Sequence, residues 1–414
     1  MRVRSLATLL GAAVACALSV SGCGGKSAAQ SSTSTGGTNL TVYSGLPLQG
    51  ADAGQSESIL DGEKLALEQV GGRVGRFTVK LVSKDDSTAQ AGQWTPAQTS
   101  TVARAAVQDK STIAYIGDFD SFASAISIPI TNEAGIVQIS PSNTYVGLTR
   151  TPGADKGEPD KYYPSGQRNY GRVIPADDVQ AQAQAGYQRA QGCSLVYVVD
   201  DRSLYGRSLA QLVLAADRRA GLRVLADEIG PGAPSYADVA QRMKAAGADC
   251  LFFGATDAPT GVQLWKDVHD ASPRARLFAP HYLAIDAFVS ALSHGEENVT
   301  YLTTPTLPRR LYPPAGKRFL AQYRQAFGSA AMPYAAYGYT AMRVVLEAIR
   351  RAGNRGNDRQ AVIDELFKTK DLRSPLGTFS IDRNGDTSLT DYALDRVQHG
   401  QVVFTRAVHA RPAR

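Results

Sequence analysis

The run Leu40-Thr41-Val42-Tyr43, then Ser44-Gly45-Leu46-Pro47-Leu48-Gln49-Gly50, then Ile59, Leu60, Ala66, Leu67 and Val70 at helical spacing, reads as strand, Gly/Pro-rich loop and helix. Gly71-Gly72 stops the helix. Phe77, Val79 and Leu81 then alternate with Thr78 and Lys80, a strand with one buried face. The unit recurs. A helix over about 95–109 leads to a strand over 113–116, and a helix over 121–133 leads to a strand over 136–139. Strands alternating with helices of this length predict a parallel sheet covered on both faces.

Three prolines, Pro152, Pro159 and Pro164, break the rhythm over 151–171, which reads as a long surface excursion. The alternation restarts with nearly continuous apolar runs at 193–199 and 250–253, the pattern of strands buried on both faces. Weaker strand candidates are 223–225, 277–279 and 299–302. Helices are expected near 177–190, 204–220, 235–247 and 259–270, then over 315–328 and 334–352. Short strands return from about 376. The fold class is therefore α/β, two doubly wound Rossmann-like lobes joined by more than one crossover. Lobe 1 is expected over 40–174 plus about 305–378, and lobe 2 over 175–304 plus about 379–410. In such sheets ligands sit outside the carboxyl ends of the strands, and a cleft between lobes is a favoured pocket.

The length of 414 residues suits two such lobes, and 43% hydrophobic with 20% charged residues is ordinary for a folded chain. The net charge of +6 comes from scattered basic residues, with no patch of the kind that tracks nucleic-acid phosphates. Arg2 and Arg4 precede an uncharged apolar stretch over 6–20, the length of a secretory signal rather than a membrane span. It ends in Val20-Ser21-Gly22-Cys23, which resembles the bacterial lipobox, so residues 1–22 are expected to be removed and Cys23 lipidated. The Gly/Ser/Thr-rich stretch up to residue 39 is expected to be a flexible tether. The body is then placed outside the cytoplasm and held at a membrane.

Motifs of catalysis are missing. There is no G-x-S-x-G, H-E-x-x-H, G-x-x-x-x-G-K-[ST] or C-x-x-C, and the five histidines lack metal-ligand spacing. Asp382-x-Asn384-x-Asp386 imitates the start of a calcium loop, but Thr387 and Ala393 stand where glycine and glutamate are needed, so an Asn-Gly turn is expected. The reading is of a binding protein, not an enzyme, without metal or cofactor. Cys193 and Cys250 each open a predicted strand of the second lobe. In an oxidising compartment neighbouring strands would let them bridge; otherwise they are two buried thiols.

Several stretches occur in an order that resembles a known family: Pro47-Leu48-Gln49-Gly50, Gly62-Glu63-Lys64-Leu65-Ala66-Leu67, Asp85-Asp86, Ile116-Gly117, Asn132-Glu133-Ala134-Gly135-Ile136-Val137-Gln138-Ile139-Ser140-Pro141, and Asp200-Asp201 with Tyr205-Gly206. From about residue 40 to 405 the chain resembles the solute-binding lipoproteins of branched-chain amino acid (Leu/Ile/Val) ABC importers, of the type I periplasmic binding protein fold. The resemblance implies a monomer that closes two lobes on a small polar solute and presents it to an ABC permease. It implies a carboxylate clamp from Ser121, a backbone group near Ser142, and the Thr144 hydroxyl, with Tyr205 contacting from the second lobe. A helix N-terminus with Ser and Thr donors suits a carboxylate, though helix or turn caps use the same residue types. The family's acid for the ligand ammonium falls at His281 here. Asp257, on the neighbouring loop, is a replacement or else a helix N-cap. That departure leaves amides, urea or organic acids open as ligands, and sensing rather than transport as the role.

The lipobox reading predicts that Cys23→Ala abolishes metabolic lipid labelling and leaves precursor or released protein in fractionation. Unchanged labelling contradicts it.

Overall fold

A computed structural model describes residues 34–410. The expected signal segment and Cys23 lie outside the described residues. The part of the expected tether that is described, 34–39, is held on the body. Thr35 N–H donates to Asn357 O at 2.9 Å, Asn357 Nδ2 donates to Gly37 O at 3.1 Å, and Asn39 already begins the first strand. No helix among the described residues is long and apolar enough to cross a membrane.

Two sheets organise the chain. The first runs in the order Arg73–Val74, Phe77–Asp85, Asn39–Leu46, Thr112–Gly117, Val137–Ser140, Tyr170–Arg172, parallel except for its first member. The second runs Arg223–Glu228, Leu195–Asp200, Cys250–Gly254, Arg276–Ala279, Thr300–Thr304, then Asp391–Gln398 and Gln401–His409. Its first five strands are parallel and its last two antiparallel. The α/β class with parallel-sheet lobes stands as expected from the periodicity. The chain passes between the sheets three times. After Thr304 the helices Pro314–Phe327, Ala335–Ala352 and Arg359–Phe367 join the core of the first sheet, and only then do the last two strands return to the second.

The first sheet and the long helix Ala335–Ala352 share one apolar core, with Leu40, Val42, Ile116 and Ile139 against Met342, Val345 and Ile349. Helix Ala53–Glu68 crosses that helix through reciprocal glycines. A Cβ on Gly62 would lie 2.1 Å from Ala335 O, and one on Gly338 2.2 Å from Ile59 O. Helical spacing of apolar residues gives the faces, and the two glycines set how closely the backbones approach.

Several expectations need correction. The first strand runs on through the predicted loop to Leu46, because Ser44 and Gly45 pair with both neighbouring strands. The Pro-rich stretch is not merely a surface excursion. It ends in the edge strand Tyr170–Arg172, and buried Glu158 accepts hydrogen bonds from Tyr145 and Tyr162. Tyr145, Tyr162, Tyr163 and Tyr170 with Ile128 and Leu148 form a small core of their own there. The helix Arg359–Phe367 was not anticipated. In the second lobe Cys193 and Cys250 are disulfide-bonded across a separation of 57 residues. Cys193 lies two residues before its strand rather than at the start of it. On the chain-entropy account a closure of that length contributes about 4 kcal/mol.

Glu63 faces the first sheet from helix Ala53–Glu68, fully buried, with neither carboxyl oxygen in a hydrogen bond of normal geometry. Burial pushes its pKa up to about 8, moderated by the Ser44 hydroxyl and Lys64. The unfolded carboxyl titrates near 4.3. Folding therefore takes up a proton between those values, and this group's contribution to stability falls as pH rises from about 4.5 to about 8. Glu63→Gln is expected to raise the melting temperature at pH 8–9 and to leave it nearly unchanged at pH 4. Equal melting shifts at both pH values contradict the assignment.

Candidate functional site

The carboxyl ends of the two sheets supply the loops of one cleft. On the first side, strand Thr112–Gly117 leads through 118–120 into helix Ser121–Glu133. Buried Asp118 shapes this loop, accepting from Tyr115 Oη at 2.6 Å and Ser124 Oγ at 3.2 Å. Asp120, not Ser121, is the N-cap, accepting from Phe122 N–H at 2.7 Å. The Ser121 hydroxyl accepts from Tyr145 N–H at 3.4 Å, so its own proton remains to be donated.

The adjacent strand Val137–Ser140 leads into the second loop. Ser140 Oγ accepts from Ser142 N–H and Asn143 N–H and donates to Asp118 O. Ser142 Oγ donates to Phe119 O at 2.7 Å, so that hydroxyl holds two loops together. Thr144 is fully buried and its hydroxyl has no hydrogen bond of normal geometry.

Asp177 opens the helix Asp177–Ala190, and its N–H donates to Thr144 O at 2.8 Å. Its carboxylate is fully buried and neither oxygen meets hydrogen-bond geometry. Burial pushes its pKa up to about 7, against the opposing pull of the Thr144 hydroxyl and the Arg172 guanidinium. An acid in a helix's first turn is ordinary. An acid there that is buried and unpaired is costly unless something else completes it.

On the other side, Ser203 caps helix Leu204–Arg219 and Tyr205 lies in its first turn. A Cβ on Gly206 would lie 2.2 Å from Asp201 Oδ1 and 2.4 Å from Gly254 O, which explains the Tyr-Gly pair. The Tyr205 ring packs edge-on against Tyr282 at 4.7 Å and His281 at 6.1 Å, and its buried hydroxyl is unpaired. His281 follows strand Arg276–Ala279. Its Nδ1 lies 2.9 Å from Gln180 Oε1, one turn along the helix from Asp177. Gln180 Nε2 donates to Thr303 O and Oγ1. The amide oxygen therefore faces the imidazole, Nδ1 carries the proton, and the unpaired Nε2 is an acceptor. Burial lowers the His281 pKa to about 3.

Thus Thr144, Tyr205 and His281 are brought together with three residues that sequence reasoning missed: Asp177, Gln180 and Tyr392. The Tyr392 hydroxyl is fully buried and unpaired. The Asp177 charge raises the pKa of Tyr205 and of Tyr392, after burial as the larger cause. Ser121 is buried and meets this group only through the Tyr145 N–H, next to Thr144. Asp257 does not join it. That residue is the N-cap of helix Ala258–Ala271, its carboxylate accepting from Thr260 N–H at 2.9 Å. The cap alternative raised by Asp257-Ala258-Pro259-Thr260 is the role the fold gives it.

The family model for periplasmic binding proteins matches residues 46–401. A protein named Leu/Ile/Val-binding protein homolog 3, from Brucella melitensis, is 24% identical over 370 residues, covering 88% of this chain and 93% of that protein. The crystal structure of a leucine-binding protein, LivK, from Thermotoga maritima has a TM-score of 0.73 at 21% identity, covering 89% of this chain and 99% of that one. A solute-binding protein of an ABC transporter from R. palustris, solved in complex with benzoate, has a TM-score of 0.68 at 18% identity, covering 90% and 98%.

His281 is expected to stay neutral from pH 5 to 8 in the folded protein. Side-chain NMR of imidazole-labelled protein, assigned by His281→Gln, checks this. A His281 titration midpoint near 6.5 contradicts the burial and the Gln180 contact.

Proposed function

The chain belongs to the periplasmic binding protein family, and from that premise we propose that it is an extracytoplasmic, lipid-anchored receptor that captures an amino acid between its lobes and delivers it to an ABC importer. The observation that carries the amino-acid reading is the fully buried Asp177 carboxylate, which has only the pull of the neighbouring Thr144 hydroxyl and the Arg172 guanidinium and which, like that hydroxyl, makes no hydrogen bond of normal geometry. A ligand ammonium completes Asp177 and a ligand carboxylate the Thr144 hydroxyl. The Ser121 hydroxyl proton and the first N–H groups of its helix add donors and a positive dipole end for the carboxylate. His281 Nε2 offers the ammonium a second acceptor. Asp177 therefore takes the role first sought at Asp257 or His281.

Relatives are named as binding leucine, isoleucine and valine, which supports the amino-acid class. The benzoate complex of the R. palustris protein concerns an anion without an amine. Here an anion alone would leave Asp177 without a cationic partner and would favour its protonated form, so it would use none of the charge the site can offer. Closure of lobes on the solute, and recognition of the closed form by a permease in the same membrane, follow the hinge logic of two-lobed receptors. Lipidation at Cys23 would keep the receptor beside that permease.

The test is calorimetric titration with a panel of L-amino acids. Asp177→Asn is expected to weaken the tightest ligand at least 100-fold, Thr144→Ala about tenfold, and Asp257→Asn less than threefold. Because only ionised Asp177 pairs with an ammonium, affinity should rise by up to about tenfold per pH unit from pH 5 to 7 and level off above. Undiminished binding by Asp177→Asn, with no pH dependence, contradicts the reading.

A further inference from the structure

A second group of acids, separate from Asp177, stands at the carboxyl ends of the first sheet. Three neighbouring parallel strands, Phe77–Asp85, Asn39–Leu46 and Thr112–Gly117, deliver Asp86, Asp52 and Asp120 to their carboxyl ends. Asp52 stands at the N-cap of helix Ala53–Glu68 but makes no side-chain capping bond. Asp120 has spent one oxygen on Phe122 N–H. Asp86 behind them is fully buried with both oxygens unpaired. The Asp52 charge raises the Asp120 pKa, which burial as the larger cause has already pushed up, to about 6. Among the described residues no cationic side chain acts on either Asp52 or Asp120.

Aromatic rings stand beside this group. Phe119 packs against Tyr334 with ring centroids 5.9 Å apart. Tyr282 reaches in from the second lobe, its ring edge-on to Tyr205 and tilted against His281. Burial first, and then the charges of Asp120, Asp52 and Asp177, raise the Tyr282 pKa, so its hydroxyl is within electrostatic reach of both groups of acids. The fully buried orphan groups at Thr144, Asp177, Tyr205 and His281 mark the same cleft as a ligand site independently of these acids.

An aliphatic side chain laid against Asp52 and Asp120 would strip water from two carboxylates and return nothing. An alkylammonium or guanidinium would satisfy both and lie against the faces of Tyr282 and Tyr334, where a cation is attracted by the ring quadrupole. We propose that the solute is a basic amino acid, its α-ammonium at Asp177 and its side-chain cation at the Asp52/Asp120 pair beside Tyr334. This rests on the amino-acid reading above and adds the side-chain class.

The experiment is calorimetric titration of the purified protein with L-lysine, L-arginine, L-norleucine and L-leucine. Norleucine has lysine's carbon chain without the terminal amine. L-Lysine or L-arginine is expected to bind at least tenfold tighter than norleucine and leucine. Asp52→Asn and Asp120→Asn should each reduce the affinity of the preferred basic ligand at least tenfold, with a smaller loss for norleucine. Should one variant fail to fold, the other carries the test. Leucine or norleucine binding as tightly as lysine and arginine, with Asp177→Asn still abolishing binding, overturns the side-chain assignment and leaves the amino-acid reading standing. Binding of none of the four overturns the side-chain assignment, and binding of no member of the wider L-amino-acid panel overturns the amino-acid reading as well.

Discussion

The buried Arg172 guanidinium is the constraint on which the site depends. It is fully inaccessible and spends its donors in three directions. Nε meets Asp386 Oδ1 at 2.8 Å, Nη1 donates to Asn143 O and Tyr145 O, and Nη2 donates to the Thr149 hydroxyl. Arg150 adds its own pairs to Asp386 and Asp178. One side chain thus joins the last strand of the first sheet, the loop that carries Thr144, and the third crossing between the sheets. Removing one partner of such a pair leaves a buried charge and costs about 3–5 kcal/mol. Asp177 stands five residues past Arg172, so its position follows from the same anchor.

That anchoring lets the cleft hold unpaired polar groups without collapsing around them. The unpaired Thr144, Asp177, Tyr205, His281 and Tyr392 atoms are each a desolvation cost in the empty protein. Loops held by Ser140, Ser142 and Asp118 cannot turn these groups back to water at small expense. A solute that satisfies them recovers that cost on binding, and the gain adds to stability by mass action. The glycines at Gly62, Gly338 and Gly206 serve the same end, because close backbone contact leaves the supporting helices little room to shift.

Much of the fold was legible because apolar periodicity is a local property of the chain. Helices Ser121–Glu133 and Asp177–Ala190 fall where spacing alone placed them. The strand Tyr170–Arg172 and the buried tyrosines before it were hidden by prolines, whose turn signal masks packing supplied by distant Ile128 and Leu148. Helix Arg359–Phe367 was hidden by the Gly and Asn residues just before it. In the site, Thr144 and Tyr205 were legible through a family likeness in their loops. Asp177 was not, because an acid at a helix start has a sufficient local explanation in the dipole. Only its burial and missing partners set it apart, and both arise from Tyr205, Tyr392 and Thr144, far away in sequence or across a loop. Asp257 showed the opposite case, an acid whose local explanation as a cap was complete.

The central claim is that a solute amine completes Asp177 between the two sheets. A crystal structure of the protein with its tightest amino-acid ligand tests it most directly. The account predicts the α-nitrogen within hydrogen-bond distance of Asp177 Oδ1 or Oδ2, and the carboxylate against the Thr144 hydroxyl and the first turn of helix Ser121–Glu133. A ligand bound with Asp177 facing no cationic group, or seated outside the group formed by Thr144, Asp177, Tyr205 and His281, contradicts it.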